Sequence, residues 1–189
     1  MEFLKFSFTS MSMFLLFSLE SFASKISSDL LKVQAAFMPK VILMEYNYKE
    51  KMSSNKITFL ILYDEQNYVD ALKLKRLIDT KYNQKLLSYE LDVKLESYDS
   101  YNQTPSKSSV VYCLPTNRDS MTESLSYARE NEILSLVYDE KDLKNGAVLS
   151  IRVDKYVKPI VSIKALKKSN IEFRPKLLKI SEVFKIDEY

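Results

Sequence analysis

Residues 57–63 read ITFLILY, a run in which every position is apolar, β-branched or aromatic and none is charged. A strand of this kind has to be covered on both faces, which is the mark of a buried, parallel strand rather than of a surface hairpin. The segments around it repeat the theme. Residues 109–114 and 133–138 (ILSLVY) are short apolar runs that predict two more buried strands. Residues 86–98 alternate Leu91, Val93 and Leu95 with Asp92, Lys94 and Glu96, the pattern of a strand less completely buried.

Between these runs the period changes to that of a helix. Residues 64–82 predict a helix with Val69, Leu72, Leu77 and Ile78 on one face, and residues 119–131 a second. Ahead of the first strand, residues 28–46 place Leu30, Leu31, Val33, Ala36, Phe37, Val41, Ile42 and Met44 near helical spacing. Pro39 removes a backbone donor there and predicts a kink or two shorter helices. Residues 101–109, with Pro105, read as a polar loop, and Asn145-Gly146 as a turn. Residues 147–163 hold two alternating stretches about Asp154-Lys155, an antiparallel hairpin whose second strand carries Pro159 and so belongs at an edge or bulge. Short helices over 164–170 and 175–184 close the chain, the latter burying Leu177, Leu178 and Phe184. The sum is a single three-layer α/β domain, a mostly parallel sheet flanked by helices with a C-terminal antiparallel hairpin.

Composition removes much familiar chemistry. The chain has no histidine and no tryptophan, one glycine (Gly146) and one cysteine (Cys113). It therefore offers no His/Cys metal cage, no Ser/His or Cys/His pair and no glycine-rich phosphate loop. Adjacent acids such as Asp64 with Glu65, or Asp139 with Glu140 and Asp142, do not face one another and have no activated nucleophile beside them. The Asp139 group also lacks the ligand spacing of a calcium loop. We expect no catalytic residues, no metal and no cofactor. The formal charge of +3 comes from 28 basic and 25 acidic residues interleaved along the chain, which gives no footprint for nucleic acid.

The first 23 residues differ from the rest: Lys5, then an apolar or small stretch, then Ser21-Phe22-Ala23. This reads as a secretory signal peptide over 1–23, with the α/β domain over 24–189; the apolar stretch is too short to span a bilayer and Glu20 ends it. Cys113 lies in an apolar run and reads as an inert core thiol, with an intermolecular bridge as the alternative.

Two sets of residues are candidates for binding. In a parallel sheet, ligands sit at the C-terminal strand ends, where Asp64, Thr116, Asn117, Arg118 and Asp139 should converge; Arg118 suits an anionic group, although Asp64, Thr116, Asn117 and Asp139 also stand where helix caps are expected. For a protein partner, Phe37, Met38, Val41 and Met44 form an adaptable apolar face, and Tyr46, Tyr98 and Tyr101 lie in or beside loops.

The motif order resembles the YfiR family of periplasmic regulatory proteins. Lys32-Val33-Gln34-Ala35-Ala36-Phe37 is similar to that family's opening K-A-A-F helix. Gly146, Ile163 with Ala165, Ser169-Asn170-Ile171 and Leu177-Leu178-Lys179-Ile180 are similar to its C-terminal block. The Trp-Pro pair after the first helix is replaced by Met44-Glu45-Tyr46-Asn47, Lys164 stands for the asparagine of the I-N motif, and the cysteines of some members are missing. The resemblance implies a periplasmic, non-enzymatic protein that represses an inner-membrane GGDEF diguanylate cyclase or a related sensor by binding its periplasmic domain, with a homodimer also implied. The alternative from the strand-end crevice is a periplasmic solute-binding protein feeding a transporter or sensor kinase.

Overall fold

A computed structural model of the chain describes residues 26–185, so the signal peptide expected over residues 1–23 lies outside the described residues. The sheet contains β1 (Lys56–Tyr63), β2 (Lys85–Leu86), β3 (Tyr89–Ser97), β4 (Val110–Cys113), β5 (Leu134–Val137), β6 (Leu149–Val153), β7 (Val157–Val161) and β8 (Glu182–Val183). The helices are α1 (Ser28–Val41), α2 (Tyr68–Tyr82), α3 (Tyr98–Gln103), α4 (Arg118–Glu130), α5 (Ile163–Lys168) and α6 (Pro175–Ile180). Across the sheet the order is β2-β3-β1-β4-β5-β6-β7-β8.

β1 lies inside the sheet, parallel to β3 along its whole length, from Lys56 opposite Glu90 to Tyr63 opposite Ser97, and parallel to β4 on its other side. β5 and β6 continue the parallel set, and β7 returns antiparallel to β6 as the expected hairpin. Counted in chain order, the five parallel strands stand 2-1-3-4-5, a doubly wound arrangement whose order reverses between β1 and β4.

Alternation within the strands divides the core in two. Phe59 and Ile61 of β1, Val110 and Tyr112 of β4, and Leu134 and Leu136 of β5 meet Leu31, Ala35 and Met38 of α1 and Ala71, Leu74 and Ile78 of α2. The intervening Leu60, Leu62, Val111, Cys113 and Val137 meet α3 and α4 through Tyr98, Tyr101, Met121, Leu125 and Ala128. Each fully buried Leu, Ile or Phe contributes about 1.5–3 kcal/mol, so both helical layers are needed to keep β1 dry. The three-layer architecture and the hairpin are as the sequence predicts.

Several elements differ from expectation. Pro39 does not divide α1: the helix runs through it to Val41 and tightens into a 3-10 turn at Ile42–Met44. The proline stands near the helix end, where little helix follows it, and the Tyr82 hydroxyl donates to the Ala36 carbonyl at 2.7 Å just upstream. α2 is preceded by a 3-10 turn and buries Ala71, Leu74 and Ile78, whereas Val69, expected inside, is 75% exposed.

The expected loop over 101–109 begins as helix α3, capped by Ser97, whose Oγ accepts from the Ser100 amide at 3.2 Å. α6 stops at Ile180 and hands over to β8; Leu177 is buried but Leu178 is exposed. β8 pairs only Ile160 and Val161, so Pro159 lies just beyond the covered part of a penultimate strand rather than on the outermost one.

One buried amide fixes α1 on the sheet. Gln34 is wholly buried, donates from Nε2 to the Tyr138 carbonyl at 2.9 Å, and accepts from the Tyr112 hydroxyl. Replacing it by Leu removes both partners, and a buried polar group left unpaired costs about 1–3 kcal/mol. Gln34→Leu should therefore lower stability in urea titrations by about 2–4 kcal/mol, and adding Tyr112→Phe should restore part of the loss. Unchanged midpoints would show that the amide is not the anchor.

Gly146, at φ 111°, ends the 3-10 turn Glu140–Asn145 in a conformation that side chains rarely adopt. Leu87 also has positive φ, 58°, at the first corner of the two-residue β2–β3 turn, where glycine is preferred and where its side chain is exposed. Left-handed backbone costs a residue with a Cβ about 1–2 kcal/mol, only part of which glycine's extra unfolded freedom cancels. Leu87→Gly should raise the thermal midpoint, by up to about 1 kcal/mol in stability; a lowered midpoint would contradict this strain.

Candidate functional site

The reversal of strand order places two loops side by side at the C-terminal ends of β1 and β4. Asp64 and Thr116 meet there: Thr116 Oγ1 donates to Asp64 Oδ2 at 3.1 Å. Asn67 Nδ2 donates across the same gap to the Pro115 carbonyl at 2.6 Å, and the buried Tyr98 hydroxyl donates to the Leu114 carbonyl at 2.6 Å. The two loops are thus tied to each other by their own polar groups. Asn117 caps α4, its Oδ1 accepting from the Ser120 amide at 2.9 Å, and Arg118 opens that helix as an exposed residue with no ion pair among the described residues.

Asp139 is not part of this cluster. Its Oδ1 accepts from the Lys141 amide at 2.9 Å, and it borders a separate concavity of about 550 Å³ at the ends of β5 and β6, lined by Ser27, Tyr138 and Arg152. The arginine there is already engaged, bidentate on Glu140 at 2.8 and 3.0 Å and on Glu182 at 2.8 Å. Of the five residues expected to converge, the structure brings Asp64 and Thr116 into contact, sets Asn117 and Arg118 on the adjoining helix start, and places Asp139 elsewhere.

The partner candidates divide similarly. Met38 and Val41 belong to the core under α1, and Tyr98 and Tyr101 are core residues of α3, Tyr101 meeting the Tyr127 ring edge-on at 5.6 Å. These four are covered because α1 turns that line of side chains to the sheet and because α3 packs on α4. Phe37 and Met44 remain half-buried beside a small apolar notch of about 120 Å³ that Leu177 and Ile180 complete, between Lys40 and Lys176. Tyr46 is exposed nearby.

A charged pair escaped the sequence reading. Glu45, 1% exposed, follows the 3-10 turn after α1 and is paired with Lys51, whose ammonium also donates to the Glu132 carbonyl. Removal from water raises its carboxyl above the usual range, against the pull of Lys51, and its second oxygen, Oε2, has no partner among the described residues. The pair lies under a polar cavity of about 480 Å³ at the N-terminal strand ends, where Lys107, Ser108 and Tyr127 form further walls. The available signal was an acidic residue set directly after the apolar Ile42, Leu43 and Met44.

Cys113 is wholly buried and its thiol is pushed up to about 12 by that burial, so neither metal nor disulfide chemistry reaches it in the folded state. Among the described residues no group of three or more His, Cys, Asp or Glu is placed to hold a metal, and no helix is long and apolar enough to cross a membrane.

The domain is doubly wound, its strand-end polar groups are bonded to one another, and apolar side chains on its helices are half-covered. The YfiR/HmsC-like family matches residues 31–182, and the chain belongs to that family. It is a family of periplasmic regulators of cyclic di-GMP signalling, regulatory rather than catalytic.

No curated protein matches the chain. Among solved structures, it resembles a conserved domain protein from Vibrio cholerae O1 biovar El Tor at TM-score 0.57 and 12% identity, over 82% of this chain and 60% of that one. It also resembles the ABC domain in complex with L-Trp from Streptococcus pneumonia at TM-score 0.52 and 11% identity, over 76% of this chain and 62% of that one. The chain therefore spans about 60% of the length of these structures, and the likeness is one of fold.

Asp142 supplies a pH test. Half-buried within the 3-10 turn after β5, its carboxyl is raised to about 6, first by desolvation and then by Asp139. A raised carboxyl means that the folded protein holds its proton more tightly than the unfolded chain, so the stability it contributes is complete below pH 3.8 and is lost as pH rises through about 6. Asp142→Asn should be the more stable protein at pH 7, by about 1 kcal/mol given solvent screening at this half-exposed site, with the difference vanishing in acid. Parallel stability curves for the two proteins from acid to neutral pH would refute the shift.

Proposed function

We propose that this chain is a non-enzymatic periplasmic regulator that binds the periplasmic domain of an inner-membrane signalling protein and represses it, the target being a GGDEF diguanylate cyclase. The observation that carries this reading is the family match across residues 31–182. The site geometry supports it: the switch-point polar groups are bonded to one another, and the chain lacks the imidazole that most general acid–base chemistry uses. Residues 1–23 direct export and are removed after Ala23. The surface that meets the target is the apolar patch of Phe37, Met44 and Ile180 with Tyr46 nearby, and Lys40 and Lys176 supply its charged rim. The solute-binding alternative gains no support from a crevice whose loops hold each other through Asp64 and Thr116.

The test is co-purification with a membrane diguanylate cyclase encoded beside it, followed by cyclase assay with and without the purified protein. A complex and a fall in cyclic di-GMP synthesis are expected. Ile180→Glu and Tyr46→Ala, both at exposed positions, should weaken the complex at least about tenfold, some 1.4 kcal/mol, at unchanged melting temperature. Full cyclase activity in the presence of excess protein, with no complex, would overturn the reading.

A further inference from the structure

α2 carries a second stripe beside its core face. Val69, Leu72 and Leu77 recur at helical spacing, and Lys73, Arg76 and Lys81 accompany them on the same side. With Lys32 and Ala35 of α1 opposite, they enclose a groove of about 740 Å³ along the seam between the two helices. Its floor is apolar and every charged group lining it is a cation. The acids of α2, Asp70 and Asp79, do not line the groove, and Asp79 is occupied by Lys75 at 3.0 Å. Asp29, in the first turn of α1, is paired with Lys32 at 2.9 Å, and Lys73 donates to the Ser28 hydroxyl at 2.7 Å. Arg76 and Lys81 form no ion pair among the described residues.

We propose that this groove seats an amphipathic helix of another protein, apolar along one face and bordered by Asp or Glu. An apolar floor between cationic walls is complementary to that pattern and to no basic or uniformly polar segment. From Val69 to Lys81 the groove runs about 18 Å, room for three turns of helix. It runs along two helices rather than over a flat face, so a helix can lie in it while its carboxylates meet Arg76 and Lys81 at the rim. Burying an exposed valine and two half-buried leucines supplies the affinity, and the cations set orientation and encounter rate. The inference goes beyond the regulatory reading and does not depend on it, because the groove shares no lining residue with the Met44–Ile180 patch and its test uses no cyclase.

The test is titration of the full protein with a labelled synthetic helix of about four turns, Leu and Ala on one face bordered by Glu, read by fluorescence anisotropy and backbone amide shifts. The expected result is saturable binding that weakens with salt and perturbs amides over residues 69–81. The same helix with Lys for Glu should not bind. Arg76→Glu with Lys81→Glu should weaken the acidic helix at least about tenfold, and Val69→Asp should do so independently through the floor; all three positions are exposed, and unchanged melting temperatures would confirm intact folding. Equal binding of acidic and basic helices, or indifference to the charge reversal, would overturn the proposal. So would charge-dependent binding of phosphatidylglycerol vesicles without peptide binding, or a dimer in sedimentation that the reversal abolishes, since these would assign the groove to a membrane or to a second copy of the chain.

Discussion

Double-sided burial of β1 is the constraint from which the rest of the architecture follows. Its side chains alternate between two separate cores, Phe59 and Ile61 to one and Leu60 and Leu62 to the other. Neither core can be omitted without wetting half of the strand. Chain on both sides of the sheet is then obligatory, and the parallel strands stand in the doubly wound 2-1-3-4-5 order. The reversal between β1 and β4 that this order produces is what brings Asp64 and Thr116 together.

Most polar groups inside such a layered core are paired, and several of the pairs join elements of the fold. Gln34 joins α1 to the middle of the sheet through Tyr112 and Tyr138, so a helix that could slide along an apolar face is held in one place. Ser150 likewise donates to the Val137 carbonyl at 3.0 Å, joining β6 to β5 where their ladder is short. At the switch point, hydroxyl, amide and carboxylate face one another across the gap. The same geometry that elsewhere holds a ligand is used here to join two loops.

How much was legible in the sequence follows from the strength of the local patterns. β1, β4, β5 and α4 were readable because their apolar content is dense and their period unambiguous. α3 was not: in YDSYNQ only Tyr98 and Tyr101 are apolar, and two rings at helical spacing in a polar hexapeptide cannot be told from a loop until α4 is there to receive them. α2 was placed correctly but turned, because Val69, Leu72 and Leu77 compete with Ala71, Leu74 and Ile78 for the core, and the sheet selects the line with the small alanine, which allows close approach. For the candidate site, the strand-end loops could be located from topology alone. What the side chains do there depends on distances across residues far apart in sequence, such as Thr116 to Asp64. The Glu45–Lys51 pair was hidden for the same reason, since burial of an acid depends on the walls around it rather than on its neighbours in the chain.

The far margin of the sheet has a consequence of its own. β7 is covered by only two residues of β8; beyond them stand Pro159, which has no amide hydrogen to give, and Lys158, clamped to Glu182 at 2.6 Å. An extended peptide arriving at this border would find a broken row of donors and a cation in its path. A wide sheet with a flat, open flank would be prone to stacking edge to edge into fibrils. At this margin the chain can be crowded against its own kind without offering a template.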